Sequence, residues 1–222
     1  IRNCDWSSDV CSSDLIEVRG RSIQLQAGGL LALSNGSHLQ GGDDPSQIQL
    51  DALSPVGNPA RGRLELRDTL LEAQTITGRA NQSVSLRDVA ARAGQPGNRG
   101  LVRLESDPPA IESADGAAAA PRQGTLSLES TQLEGQWAWL RSGAIELSDS
   151  RIAAPKGVIQ LEAQRGDLLL KQSQLDVGAS HPLDLRREVD RRVDVGKTVK
   201  IIQLGEAPSI GLFAEGNISI LR

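Results

Sequence analysis

The decapeptide GAIELSDSRI, residues 143–152, sets the pattern from which the fold is read. After Gly143, Ile145 and Leu147 alternate, the polar pair Ser148–Asp149 follows, and Ser150 and Ile152 complete the unit. The same offsets recur from Gly62 (Leu64, Leu66, Thr69, Leu71), from Gly124 (Leu126, Leu128, Thr131, Leu133) and from Gly166 (Leu168, Leu170, Ser173, Leu175). Gly29 repeats them with one inserted residue, through Leu31, Leu33, Ser37 and Leu39. Gln82 replaces the glycine in a weaker copy with Val84, Leu86, Val89 and Ala91. Partial copies stand at Ile23–Leu25, Ile48–Leu50, Ile159–Leu161 and Ile218–Ile220.

Side chains two residues apart in a strand share a face, so each aliphatic pair points inward and the residue between them faces solvent. Those middle residues are mostly polar: Glu65, Ser127, Glu146, Gln24, Gln49 and Gln160, with Leu169 and Ala32 as exceptions. From the second aliphatic to the last is an odd step, so the chain must bend between them to keep both inward. The bend falls at Arg67–Asp68, Glu129–Ser130, Ser148–Asp149 and Lys171–Gln172, and the following Ser or Thr can bond nearby backbone. A unit of strand, corner and strand cannot bury its inner face alone. Hairpin turns are scarce, Asn35–Gly36 being one candidate. The segment 22–40 reads as one full coil, and coils of roughly 20 residues stack as solenoids. The expected fold is therefore all-β, a right-handed parallel β-helix (β-solenoid), with irregular loops and a less regular C-terminal segment.

Composition agrees. The 222 residues include one Phe, no Tyr and no Met, so Leu, Ile, Val and Ala must supply the buried area that rings usually provide. The 23 Gly and 10 Pro imply many turns. A net charge of −4 argues against nucleic-acid binding, which needs a basic face. No apolar run approaches the ~20 residues of a membrane span. Loops are expected at 54–62, 93–100 and 107–124, at corners where insertions need not enter the core.

The chain divides into three parts. Residues 1–15 are unlike the rest, and Asp5 to Leu15 (DWSSDVCSSDL) resembles the translation of a common DNA-sequencing adaptor. We set this leader aside as non-native. With it go Trp6 and both cysteines, Cys4 and Cys11, so their spacing says nothing of metal or redox chemistry. The natural start is then expected to be missing. Residues 16–178 hold the repeats. Residues 179–222 break the pattern: Glu188 and Arg192 have helical spacing, so a short helix or irregular excursion is expected, followed by strands in VKIIQLG and NISILR.

GRSIQLQAGGLLALSNGSHLQ (20–40), with its glycine, alternating aliphatics, polar corner and second strand, resembles coils of the filamentous-haemagglutinin family, the large exoproteins of two-partner secretion. The resemblance covers about residues 16–178; the Asn-rich amino-terminal secretion module of that family is not evident. It implies a repeat protein secreted through an outer-membrane partner and held at, or released from, the surface of a Gram-negative bacterium. There it would act as an adhesin towards host glycans or receptors. Absence of cysteine from 16–222 suits passage through a pore unfolded.

Candidate chemistry is sparse. His38 reads as a solvated outward residue, His181 as a loop residue, and no His or Cys cluster suggests a metal. Asp43–Asp44 after Gly41–Gly42 looks like half a calcium site, but the Gly-Asp nonapeptide is absent. Acidic residues are expected at corners or scattered outward, without the gathered carboxylates of a β-helix enzyme. The run Arg186, Arg187, Arg191 and Arg192 is balanced by Asp184, Glu188 and Asp190, as on a solvated surface. Arg165–Gly166–Asp167 is an R-G-D triplet, which in adhesins can bind integrins; a plain turn before a strand is the simpler reading. Trp137 and Trp139 share a strand face and either cover the core at a wide corner, the favoured reading, or offer a platform for sugars. The expected function is a non-catalytic binding stalk, with no cofactor and no catalytic residue. The alternatives are an envelope scaffold for lipid transport, which needs an open apolar trough, and a β-helix carbohydrate-active enzyme.

Overall fold

The computed structural model describes residues 10–14, 16–42, 45–54, 62–94, 100–106, 124–178, 194–195, 200–204 and 209–221. The described residues are all-β, with no helix, and form two sheets of mainly parallel strands. The smaller sheet stacks β3 (Ser22–Ala27), β6 (Gln47–Ala52), β8 (Thr75–Ala80), β10 (Leu101–Ser106), β13 (Trp137–Ser142), β16 (Val158–Ala163) and β21 (Ser209–Ala214) in parallel. The larger sheet stacks β1 (Val10–Asp14), β4 (Leu30–Ser34), β7 (Arg63–Ala73), β9 (Ser83–Ala93), β11 (Thr125–Glu129), β14 (Ala144–Ser148), β17 (Leu168–Lys171) and β22 (Ile218–Leu221). Alongside run β2 (Glu17–Gly20), β5 (Ser37–Gly41), β12 (Gln132–Glu134), β15 (Arg151–Ala153) and β18 (Gln174–Asp176). The chain visits the smaller sheet, then the larger, crosses a corner within the larger, and returns. This alternation is consistent with the expected solenoid.

Register turns the sequence pattern into columns. In the smaller sheet Ile23, Ile48, Ile76, Val102, Ala138, Ile159 and Ile210 align, and Leu25, Leu50, Gly78, Leu104, Leu140, Leu161 and Leu212 lie two residues on. In the larger sheet Leu31, Leu64, Val84, Leu126, Ile145, Leu168 and Ile218 align. Beyond the corner so do Val18, Leu39, Leu71, Ala91, Leu133, Ile152 and Leu175. These columns meet in one continuous apolar core. Each buried Leu or Ile contributes roughly 1.5–3 kcal/mol before entropy is subtracted. Gly78 is the one gap in its column; an added Cβ there would stand 2.9 Å from Leu64 and Leu104 methyls, so those side chains already occupy the space.

The corners inside the larger sheet all turn on a left-handed residue. Asn35, Asp68, Asp88, Ser130, Asp149 and Gln172 all have positive φ, between 47° and 56°. One left-handed residue reverses the face parity, which is how both aliphatics of the odd step stay inward. Asn and Asp tolerate this conformation better than most residues. Asn35–Gly36, the hairpin candidate, is such a corner with two left-handed residues, joining β4 to β5. The hydroxyls after the bend close it: Thr69, Thr131, Ser150 and Ser173 each donate to the carbonyl two residues back, at 2.8–2.9 Å. Ser150 Oγ and Ser173 Oγ also accept the backbone N–H of the previous coil's Thr131 and Ser150.

β21 and β22 continue both stacks in register on β16 and β17, although they follow the break after residue 178. β20 (Lys200–Leu204) pairs antiparallel with β21, and β19 (Asp194–Val195) pairs antiparallel with β20, so the end of the smaller sheet is covered. The leader residues Val10–Asp14 form β1 on β4. An exposed strand edge accepts any extended segment, so this pairing carries no information about their origin. The expected helix or excursion around Glu188 and Arg192, His181, the Arg186–Arg192 run, and Asp43–Asp44 lie outside the described residues.

Candidate functional site

The outward face of the smaller sheet gathers most of the distinctive side chains. Two residues beyond the column of Gln24, Gln49, Thr77, Arg103, Trp139 and Gln160 runs a second, Gln26, Asp51, Arg79, Glu105, Arg141 and Glu162. Its charges alternate in sign from coil to coil. Arg79 grips Asp51 through two hydrogen bonds, 2.8 Å to Oδ1 and 2.6 Å to Oδ2, and Gln49 donates to Oδ2 at 2.7 Å. Arg103 bonds Glu105 at 2.7 Å, and Arg141 lies 3.7 Å from Glu162. Asp51 and Glu105 are buried, which corrects the expectation that the acids are scattered on a solvated surface. A carboxylate shielded this far from water requires a cation beside it: Arg79 on the neighbouring strand serves Asp51, and Arg103, two residues back on the same strand, serves Glu105. Burial raises the Asp51 pKa, but the hydrogen bonds from Arg79 and Gln49 prevail and hold it below the usual carboxylate value. The same bond pushes Arg79 further up.

Trp137 and Trp139 point outward from β13. Trp137 is 53% exposed, so the reading in which both indoles cover the core is incorrect: the core beneath β13 is sealed by Ala138 and Leu140. Leu101 and Val158 flank Trp137 in register, one on each neighbouring strand. Trp139 is half-buried, with the Arg103 guanidinium carbon 4.3 Å from its ring centroid, a cation–π contact. The Trp139 indole nitrogen is buried without a hydrogen-bond partner.

Arg165–Gly166–Asp167 forms the corner before β17. Asp167 Oδ1 accepts the backbone N–H of Asn217 at 2.6 Å, and Gly166 O accepts that of Gly216 at 3.0 Å. The triplet ties one coil to the next, and its carboxylate is engaged in doing so. His38 is outward but not freely solvated: its side chain is 26% exposed and Nε2 lies 3.2 Å from Glu72, which also pairs with Arg92. A hollow of about 400 Å³ borders Gln26, Ala27, Gly28, Asp51 and Leu53. Among the described residues no group of three or more His, Cys, Asp or Glu is placed to hold a metal, and no helix is long and apolar enough to cross a membrane.

Position along the chain signalled the two tryptophans and the R-G-D triplet, but not the pairing of Asp51 with Arg79 or of Arg141 with Glu162, whose partners lie on different strands; Arg103 and Glu105 stand two residues apart on β10, a spacing that carries no sign of burial. Comparison with protein-family models, with characterised proteins and with solved structures finds no match for this chain.

Proposed function

We propose that this chain is a stretch of a non-catalytic binding stalk, wound as a right-handed parallel β-helix, from a secreted bacterial adhesin of the filamentous-haemagglutinin kind. Right-handed winding is the form taken by nearly all parallel crossover connections. The observation that carries the reading is the filled core: Leu31, Leu64, Leu126, Ile48, Leu140 and Leu161 face one another at 0–1% exposure. A lipid-transport scaffold needs inward apolar residues left open along a trough. A carbohydrate-active enzyme needs free carboxylates facing a groove, whereas Asp51 and Glu105 are each held by an arginine. A stalk needs only stacking and an outward surface. Export through an outer-membrane partner and display at the cell surface follow from the family likeness of the coils.

The test is small-angle scattering of the whole chain, paired with adherence of chain-coated beads to cultured epithelial cells. A rod-like profile with adherence supports the stalk. A compact profile, co-purifying lipid detected by mass spectrometry, or release of reducing ends from a polysaccharide panel overturns it.

A further inference from the structure

We propose that the outward face around Trp137 is a binding ledge for a neutral pyranose oligosaccharide. This names the ligand class of the binding stalk and rests on that reading.

The natural part of the chain holds two tryptophans, and both stand on one outward face of one strand. An indole half open to water loses hydrophobic stabilisation unless something covers it. A pyranose suits the cover required, since it has a flat C–H face and a rim of hydroxyls. Leu101 and Val158 lie level with Trp137 on either side and widen the apolar step by a strand in each direction. The neighbouring part of the face is braced, because Trp139 two residues along is clamped by Arg103, which is itself anchored on Glu105. Rigid aromatic area costs little entropy when a ligand arrives.

Beyond the step, Gln160, Arg141 and Glu162 provide donors and acceptors for hydroxyls at the polar edge. Their neutrality selects the ligand. Every cation in the adjoining column faces a carboxylate, so the rail has no positive field with which to attract a sulfated or phosphorylated polymer. The pattern fits an uncharged sugar.

The experiment is isothermal titration of the whole chain with maltopentaose, cellopentaose, chitopentaose and a heparin hexasaccharide. Indole N–H resonances are followed by NMR in parallel. The expected result is binding of at least one neutral oligosaccharide, with a shift of the resonance that disappears in Trp137→Ala and a loss of affinity of about tenfold or more in that variant. Trp137 is exposed, so the variant should keep the wild-type circular dichroism. A chain that binds none of the neutral sugars, prefers heparin, or binds equally well as Trp137→Ala overturns the ledge. If the chain still scatters as a rod and adheres to cells in those cases, the ledge falls and the stalk stands. A compact, non-adherent chain removes the stalk itself.

Discussion

Gln172 adopts φ 47° at a corner where three other coils place Asp and one places Asn. A left-handed backbone costs an ordinary L-residue roughly 1–2 kcal/mol, and less for Asn or Asp, whose short side chains bond locally. Gln172→Asn should therefore raise stability by about 0.5–1 kcal/mol, read as a shift of the urea midpoint without change in slope. Gly157 makes the opposite case. A Cβ at this position would lie 1.7 Å from the carbonyl oxygen of Gln136, a backbone atom that cannot turn aside. Gly157→Ala should cost about 1–3 kcal/mol, and an unchanged urea midpoint would refute the close approach. The aliphatic offsets made the inward residues legible in the sequence, down to the weak copy at Val84, Leu86, Val89 and Ala91, all buried. The left-handed corner was legible only as a bend, because Ser130 and Gln172 carry no signature of that conformation. His38 looked solvated for a similar reason: its partner Glu72 is a coil away.

At the scale of the element, the ladder on the smaller sheet couples coils through charge. Folding lowers the Asp51 pKa, so the pair with Arg79 stabilises fully above the ordinary carboxylate range and is lost as pH falls through the depressed folded value. Asp176 has the same sign, held down by the Gly178 N–H and then by Arg151. Urea unfolding at neutral pH and at about pH 3 should show a steep acid loss that Asp51→Asn partly flattens. Asp51→Asn should itself cost about 1–3 kcal/mol at neutral pH, discounted because Arg79 retains contact with water. An acid dependence identical in variant and wild type would show that the pair is not coupled to folding. The strands of the smaller sheet were harder to read than those of the larger. Gly78 interrupts one column, Ala138 shrinks another, and Trp137 and Trp139 place large apolar residues on the outward face of β13, where the repeat has polar ones. At these positions the residues depart from the repeat, so the offsets alone do not mark the strands.

Over the whole molecule, the arrangement of strands follows from one repeated coil, while the ends follow their own rules. Uncapped edges invite other chains, so a stretch of repeats associates unless its end strands are covered. β20 meets that need for the smaller sheet by lying antiparallel on β21. Replacing residues 200–204 by a Gly/Ser stretch should therefore raise self-association, seen by sedimentation velocity as a concentration-dependent shift absent from the parent chain. No shift would mean that β20 does not protect the edge. The stacking has a further, mechanical consequence. The hydrogen bonds between strands run along the direction of stacking, so tension between the first and last coils loads them one row after another. Each row that yields frees a coil of roughly 20 residues, or about 70 Å of slack, while its neighbours stay shut. Under tension such a stack should therefore lengthen in steps instead of opening at a single threshold.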